Sequence, residues 1–548
     1  MIDLYGIAGI LTFYSIVLVV GIWAGTKQKN HGEEEVMLAG RSIGKIVGVL
    51  TLIATWGGGS YFTGTAESLF STGLLWCQAP VGYSLTLVAG ALIFAKPMRD
   101  AGYITMLDPF QKTYGRRIGG LLFLPALLGD MLYLSSVLSS LGVSLKVILG
   151  ISDYLSVTIS TMFAVAYTIS GGLYSVSYTD VLQLIFIVFG LLISVPFAIV
   201  TAQDYPIQSN GTLPSPQIDW LGHVEPKFYP QWTESMIILI LGGIPCQSYF
   251  QRILSLKSST DAVNVSLISA TACFFIVIPA AIIGVLAKFV DWSKIPGYDK
   301  PFDMTESNSV LPLVLRYLTP GWVTFFGLGA VSASVMSSAD SVILGSGSMF
   351  TRNIYHQSFR PKASEYELMW VLRLSILAAS VISCSIALSG ASIYYLSVVC
   401  SDVVYVTLFP QLVLVVHGAN HVNSYGCLSS VVIGILLRIT GGEPNLGLPA
   451  LIKYPWYDYQ LQQQLFPFKT MAMLLSAASH LLISKLAAIV FEKKLLSTER
   501  WDVLNAFPDV KTKKCPSIVT PLISREQTQN YHSSSSRTLE GTNNMGFS

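Results

Sequence analysis

Apolar residues run through this chain in blocks of about twenty that are separated by shorter polar stretches. A block of this length can cross a bilayer as an α-helix, since a helix rises about 1.5 Å per residue and the hydrocarbon core is roughly 30 Å thick. The pattern predicts an all-α membrane protein with about thirteen transmembrane helices. They are predicted at residues 4–23, 43–62, 73–95, 118–147, 155–176, 178–201, 233–252, 262–289, 321–350, 367–388, 393–416, 425–438 and 469–493.

Glycines interrupt two of these blocks in matching places. The second block contains Ala-Thr-Trp-Gly-Gly-Gly-Ser at 54–60, and the seventh contains Leu-Gly-Gly-Ile-Pro-Cys-Gln at 241–247. Such breaks free backbone carbonyls, which a membrane tolerates only beside protein or a wet cavity. Paired broken helices in two halves indicate the midplane binding site of a secondary transporter. The alternative is a pair of flexible kinks that bind nothing.

If each broken helix opens a unit of five helices, the two units cover residues 43–201 and 233–416. An odd number of helices per unit inverts the second unit relative to the first, which predicts a 5+5 inverted repeat. The remaining parts are a leading helix and cytoplasmic loop at 1–42, an extracellular loop at 202–232, two C-terminal helices at 417–495 and a disordered cytoplasmic tail at 496–548.

The distribution of basic residues predicts the orientation. Lysines and arginines are concentrated after the first, third, seventh and ninth predicted helices, so these loops are expected to be cytoplasmic. They are Lys27, Lys29, Arg41, Lys45, Lys96, Arg99, Lys112, Arg116, Arg117, Arg252, Lys257, Arg352, Arg360 and Lys362. The N-terminus is then extracellular and the C-terminus cytoplasmic. The sequon at Asn210 falls in a loop that this topology makes extracellular, which predicts a glycosylation site.

Composition limits the possible functions. Of the 548 residues, 52% are hydrophobic and 12% charged, which excludes an ordinary soluble domain. The net charge of +2 comes without a basic stripe, so no nucleic-acid partner is predicted. The seven cysteines lack metal-ligand spacing, and the chain has no Gly-x-Ser-x-Gly elbow, His-Glu-x-x-His motif or phosphate-binding loop. We therefore predict that the protein is not an enzyme, has no organic cofactor and forms no disulfide.

Oxygen-bearing side chains collect at the end of the ninth predicted helix. At helical spacing Ser334, Ser337, Ser338 and Ser341 share one face, with Asp340 beside them. Hydroxyl and carboxylate oxygens are the ligands of small hard cations. A carboxylate near the bilayer centre costs about 2.5 to 3.5 kcal/mol, which favours an ion pathway. The alternative for the serines is close helix packing, where small residues are common.

Other polar residues also fall inside apolar blocks. Asp180 stands at the predicted start of the sixth helix, where an ion site and a helix cap are both open interpretations. Asp130, Asp402 and Glu67 are each costly in lipid and are expected to face the bundle interior, and Tyr133 shares a helix face with Asp130.

Three aromatic residues are candidates for the walls of a pocket, namely Trp56, Tyr83 and Tyr133. A cation near the face of such a ring gains about 0.5 to 2 kcal/mol. The alternative for each ring is ordinary core packing.

Longer stretches resemble the sodium/solute symporter family, and within it most closely the high-affinity choline transporters. They extend through the chain from about residue 5 to about residue 495. The stretches are GGLYSVSYTDVLQL, LGGIPCQSYFQRILS, FFGLGAVSASVMSSADS, MLDPFQ, FAKPMR, RITGGEP and FPFKTMAM.

The resemblance implies sodium- and chloride-dependent uptake of choline across the plasma membrane, in this branch for acetylcholine synthesis. It implies a leucine-transporter-like fold with one extra leading helix. The family's main sodium site matches Ala54, Gly57, Ser334, Ser337 and Ser338, and a second sodium position matches Asp180, Asp340 and Ser341.

The substrate cage departs from the family pattern. The residues that match three cage positions are Trp56, Tyr83 and Tyr133, with tyrosine in place of tryptophan at the third. Cys246 stands where a tryptophan is expected, and Ser397 falls near another expected tryptophan. Losing two indoles removes roughly 1 to 4 kcal/mol of attraction for a cation. The leading hypothesis is a sodium-coupled importer of choline or a related small organic cation. The alternatives are a sodium symporter for another small solute, or a non-transporting membrane sensor or channel.

Overall fold

Helices form most of the structure, a computed structural model that describes residues 4–26, 32–168, 172–207, 219–298, 301–444, 447–493 and 495–507. The first half contains α1 Leu4–Gly25, α2 Glu33–Leu38, α3 Lys45–Trp56, α4 Gly59–Ser71, α5 Ala79–Gly90, α6 Lys96–Asp100, α7 Asp108–Leu121, α8 Phe123–Leu149, α9 Asp153–Thr168 and α10 Gly172–Asp204. A π-helical turn at Ala91–Ala95 joins α5 to α6.

The second half continues the helical pattern. It contains α11 Tyr229–Gly242, α12 Gln247–Leu254, α13 Ser259–Ile276, α14 Ile278–Ala287, α15 Val310–Tyr317, α16 Gly321–Met349, α17 Glu365–Ala387, α18 Ile393–Thr407, α19 Phe409–His417, α20 Ser424–Thr440, α21 Phe468–Glu492 and α22 Thr498–Trp501. A π-helical segment at Phe350–Phe359 extends α16. Two short strands, β1 Tyr457–Asp458 and β2 Gln463–Gln464, pair antiparallel with Tyr457 opposite Gln464.

Eight described helical segments are long and apolar enough to span a bilayer when α5 with α6, and α13 with α14, are each counted as one segment. The count rises to eleven if each of three bent pairs forms one span. The chain is therefore a multi-pass membrane protein. Each of the thirteen predicted segments contains a helix, but α9 has 16 residues and α20 has 17, which is short for a membrane span. The count of thirteen stays a prediction.

Both predicted helix breaks are present. The axes of α3 and α4 differ by 45°, and the helices on either side of Gly243 to Cys246 differ by 41°. Gly58 is required at the first break, since a Cβ added there would lie 1.6 Å from Ser338 Oγ. The backbone of the break therefore presses directly against α16.

A third bend, of 46° between α18 and α19, was not predicted from the sequence. Pro410 lies in the first turn of α19, where its missing N–H ends the hydrogen-bond ladder of the preceding helix. The segment was predicted as one continuous helix at 393–416.

Helix α16 lies at the centre of the bundle. It packs against α1, α8 and α10, and every residue from Gly327 to Met349 is buried. By contrast α1 exposes apolar side chains such as Leu11 and Val19, as expected of a helix that faces lipid.

The chain divides into two compact units, residues 1–486 and 487–548. In the second unit, the described residues include the end of α21 and the short helix α22. Phe491 stacks on Phe507 with ring centroids 5.3 Å apart, and Asp502 accepts hydrogen bonds from the backbone of Ala506 and Phe507. The tail was predicted to be disordered from residue 496, and residues 508–548 lie outside the described part.

Candidate ion and substrate site

The break between α3 and α4 leaves backbone oxygens available. The N–H of Gly57 donates to Ile53 O over 2.7 Å, and the next backbone bonds run from Tyr61 and Phe62 to Gly58 O. Within the described part of the chain, no hydrogen bond reaches the carbonyl oxygen of Ala54 or Gly57. These two oxygens are available as ligands.

Serines of α16 face this break. Ser338 Oγ donates to Thr55 O over 3.3 Å, and Ser337 Oγ donates to Asp180 Oδ1 over 2.5 Å. Ser334 Oγ turns back to Val331 O of its own helix, 2.7 Å away. The structure thus brings Ser338 to the break, directs Ser337 toward a carboxylate and leaves the Ser334 hydroxyl bonded within α16.

Asp180 is fully buried among donors from three helices. It accepts from Ser337, from Thr51 Oγ1 and from Arg252 Nη2, the last over 3.3 Å. Because α10 begins at Gly172 in the described chain, Asp180 lies more than two turns inside it. The helix-cap interpretation of Asp180 is therefore wrong.

Arg252 was predicted to mark a cytoplasmic loop, and this was wrong. It lies inside α12 with a side chain only 1% exposed, where it pairs with Asp180 and donates to Ser341 Oγ over 2.5 Å. In the sequence, Arg252 directly follows an apolar block. The position of a basic residue alone does not distinguish a loop residue from one that forms a buried ion pair. Ser341 Oγ in turn donates to Ser337 O over 2.8 Å.

Asp340 faces another side of α16. Its Oδ1 accepts a hydrogen bond from Thr168 Oγ1 over 2.8 Å. Asp180 instead accepts hydrogen bonds from side chains of α3, α12 and α16. The second predicted ion position therefore has Asp180 and Ser341 joined through Arg252, with Asp340 hydrogen-bonded to α9.

A cavity of about 70 Å³ lies beside the break. Trp56, Tyr83, Tyr133 and Cys246 line it, which brings together four of the five predicted substrate residues. The other lining residues are Thr55, Gly129, Asp130, Gly242, Gly243, Pro245, Ser248, Val342, Cys400, Ser401 and Val404.

Ser397 stands behind the wall of this cavity. Its carbonyl accepts from Tyr83 Oη over 2.9 Å, and its hydroxyl donates to Ser136 Oγ over 3.1 Å. It borders a smaller void of about 10 Å³ that Tyr83 and Tyr133 also touch. Helix α18 reaches the main cavity through Cys400 and Ser401 instead.

Three other carboxylates face the protein interior, as the sequence predicted. Asp130 accepts from Ser346 Oγ over 2.5 Å, and Glu67 accepts from the backbone N–H of Tyr394 over 3.2 Å. Asp402 is fully buried and pairs with Arg438 and Lys469, 2.6 and 2.9 Å away. Of these carboxylates, Asp130 lines the cavity and was missed as a site residue, although its spacing to Tyr133 placed both on one face.

Among the described residues, no group of three or more His, Cys, Asp or Glu side chains forms a metal site, and the six described cysteines are unpaired. Asn210, the predicted glycosylation site, lies outside the described residues.

Comparison with known proteins identifies relatives over most of the chain. Residues 36–434 match the model of the sodium:solute symporter family. The chain is 49% identical to a high-affinity choline transporter 1 of Drosophila melanogaster over 496 residues, which is 90% of this chain and 80% of that protein. It is 46% identical to the high affinity choline transporter 1 of Homo sapiens over 512 residues, or 91% and 88% of the two chains.

The fold resembles that of a Na⁺-coupled sialic acid symporter in a substrate-bound outward-open state. The TM-score is 0.70 at 14% sequence identity, and the match covers 88% of this chain and 97% of that one.

Proposed function

The chain belongs to the sodium:solute symporter family, and we propose that it imports choline or a related small organic cation, coupled to sodium, across the plasma membrane. One observation supports this proposal above the others. The break between α3 and α4 carries the available oxygens of Ala54 and Gly57, and between them lies Trp56, a wall of the aromatic cavity. An ion and a solute bound there would share one backbone segment.

The available oxygens at this break support the proposed sodium coupling. Sodium would be held by the carbonyls of Ala54 and Gly57 together with Ser334, Ser337 and Ser338 of α16. A second position would use Asp180, Asp340 and Ser341. Each charge that moves inward across 100 mV contributes about 2.3 kcal/mol, beyond its concentration gradient, to the uptake of solute.

Two observations favour choline as the solute, namely the similarity to choline transporters and the aromatic residues that line the cavity. The cavity is lined by Trp56, Tyr83 and Tyr133 and lies beside the oxygens that we propose to bind sodium. Aromatic rings of this kind attract a quaternary ammonium. Cys246 supplies no ring, so we expect weaker attraction for the cation than an additional indole would give.

We also propose chloride dependence, delivery of choline for acetylcholine synthesis, an extracellular N-terminus and a cytoplasmic C-terminus. Chloride dependence and acetylcholine supply rest on the resemblance to choline transporters. The orientation rests on the basic residues of the loops and on the sequon at Asn210.

Uptake of radiolabelled choline into cells that express the chain tests this function. We expect saturable uptake in sodium chloride, loss of uptake when sodium is replaced by lithium or N-methylglucamine, and a decrease when chloride is replaced by gluconate. Equal saturable uptake with and without sodium would overturn the coupling.

A second candidate, a membrane sensor or channel that does not transport, is favoured by one observation. Cys246 stands at a cavity position where the family resemblance implies an indole, while the oxygens of the helix break are available as ligands. A choline-dependent sodium current without accumulation of label would support this candidate.

A further inference from the structure

Asp130 is an acidic residue in the wall of the aromatic cavity. It lies on α8 one turn before Tyr133, and both line the space that Trp56 and Tyr83 also enclose. A carboxylate is therefore present beside the rings that would receive a cationic solute.

Asp130 differs from Asp180 and Asp402 in the partners of its carboxylate. Asp180 pairs with Arg252, and Asp402 pairs with Arg438 and Lys469. Within the described part of the chain, no Lys, Arg or His nitrogen lies within 4.0 Å of the Asp130 carboxylate, and its hydrogen-bond donor is the Ser346 hydroxyl. A neutral hydroxyl supplies no positive charge to balance an ionised carboxylate.

An uncompensated carboxylate at membrane depth is costly unless it meets a cation. We propose that Asp130 is the counter-ion of the substrate and selects for a positively charged head group at the proposed choline site. The rings contact the methyl groups of the cation, and Asp130 supplies the opposite charge. This inference rests on the proposed function and adds the residue that would recognise the positive charge of the solute.

A carboxylate counter-ion would also change how strongly the altered cage attracts a cation. The attraction between two full charges acts without an aromatic ring, so a carboxylate can offset part of the attraction that is lost because Cys246 stands where an indole is expected. Charge, rather than an additional aromatic wall, would then make the largest contribution to discrimination against neutral solutes.

The test compares choline with 3,3-dimethylbutan-1-ol, which has the same shape with carbon in place of the charged nitrogen. Inhibition of radiolabelled choline uptake by each compound is measured in cells expressing the full chain as wild type, Asp130→Asn, Asp130→Glu and Ser346→Ala. Surface biotinylation corrects for abundance, and the sodium dependence of uptake is measured in parallel.

We expect Asp130→Asn to weaken choline binding by at least about tenfold, which corresponds to about 1.4 kcal/mol. Inhibition by the neutral alcohol and the apparent affinity for sodium should not change. Asp130→Glu should retain the preference for choline. Ser346→Ala removes the hydrogen bond to Asp130 but keeps its charge, so it should retain the preference as well.

An unchanged ratio of choline to alcohol affinity in Asp130→Asn would overturn the proposal. Loss of folding in both Asp130 variants would also overturn it, because the carboxylate would then serve packing. If the wild-type chain takes up no choline, the proposed function fails. The counter-ion role is then decided by thermal stabilisation of the purified wild-type and Asp130→Asn chains by choline and by the alcohol.

Discussion

Neighbouring side chains of α16 make different contacts at the candidate site. Ser337 donates to Asp180, while Ser338 donates to the freed carbonyl of Thr55 at the helix break. A hydroxyl that donates a proton keeps its lone pairs, so both serines can also bind a cation through oxygen.

The double substitution Ser337→Ala and Ser338→Ala tests the ion site, because it removes two hydroxyl oxygens and keeps the helix. We expect the sodium concentration for half-maximal uptake to rise by about tenfold, which corresponds to loss of about 1.4 kcal/mol of ion binding. Ser348→Ala, at another buried position of α16, is the matched control. Unchanged sodium dependence in the double variant would exclude these serines from the site.

Asp180 and Arg252 form a buried ion pair whose halves depend on each other. Asp180→Asn leaves the guanidinium without its carboxylate partner, and breaking such a pair costs about 3 to 5 kcal/mol. We expect a lower thermal unfolding midpoint of the purified chain. The double variant Asp180→Asn with Arg252→Gln should recover part of this loss. A midpoint equal to that of the wild type in Asp180→Asn alone would contradict the pairing.

The cage variants test the substrate wall. Trp56→Ala should abolish saturable choline uptake, because it removes the largest ring of the cavity. Cys246→Trp should lower the KM for choline by about two- to thirtyfold, since the attraction between a ring and a cation contributes about 0.5 to 2 kcal/mol. Cys246→Leu adds bulk without an aromatic face and is the control. An equal gain in both Cys246 variants would assign the effect to packing.

The sequence identified most residues of this site but not all their contacts. Trp56, Tyr83, Tyr133 and Cys246 were predicted together, and one cavity contains all four. The partnership of Arg252 with Asp180 was missed, because the two residues are 72 positions apart and only tertiary packing joins them. Ser397 was expected at the same site, but α18 directs Cys400 and Ser401 into the cavity instead.

At the scale of elements, broken helices were predictable where glycine caused them. Successive glycines at 57–59 and Gly242-Gly243 before Pro245 weaken the helical ladder locally. The bend between α18 and α19 depends on Pro410 within an otherwise apolar block, which was interpreted as a continuous span. Helix α7 was not predicted, because it lies between membrane spans and its sequence is too polar to be identified as a transmembrane segment.

A cluster of four charged residues joins α18 to α20 and α21. Arg438 bonds Asp402 and Glu443 at 2.6 and 2.5 Å, and Lys469 lies 2.9 Å from Asp402. Two positive and two negative charges balance within the cluster. This network connects a helix of the candidate cavity to the C-terminal helices.

Arg438→Met should destabilise this connection, because it leaves two buried carboxylates with Lys469 as their only remaining cationic partner in the cluster. We expect a loss of about 3 kcal/mol, measured as a lower unfolding midpoint in detergent. Lys362→Met removes an exposed charge and serves as the control. Equal midpoints for the two variants would show that the cluster adds no net stability.

At the scale of the whole molecule, the apolar blocks predicted the class of protein and the location of its helices. Length alone does not fix the number and boundaries of the spans, because α9 is shorter than a membrane span and bent pairs consist of two short helices. The coupling of ion and solute also belongs to this scale. The helix break between α3 and α4 contacts both α16 and the aromatic cavity, and the proposed coupling would act through it.

Choline accumulation in proteoliposomes that contain only the purified chain tests this coupling most directly. Label inside the vesicles is measured with an inward sodium gradient, and again with equal sodium on both sides, at a membrane potential clamped to zero. Sodium-coupled transport predicts transient accumulation above the external concentration with the gradient, and equilibration without it. Identical time courses under the two conditions would contradict sodium-coupled transport.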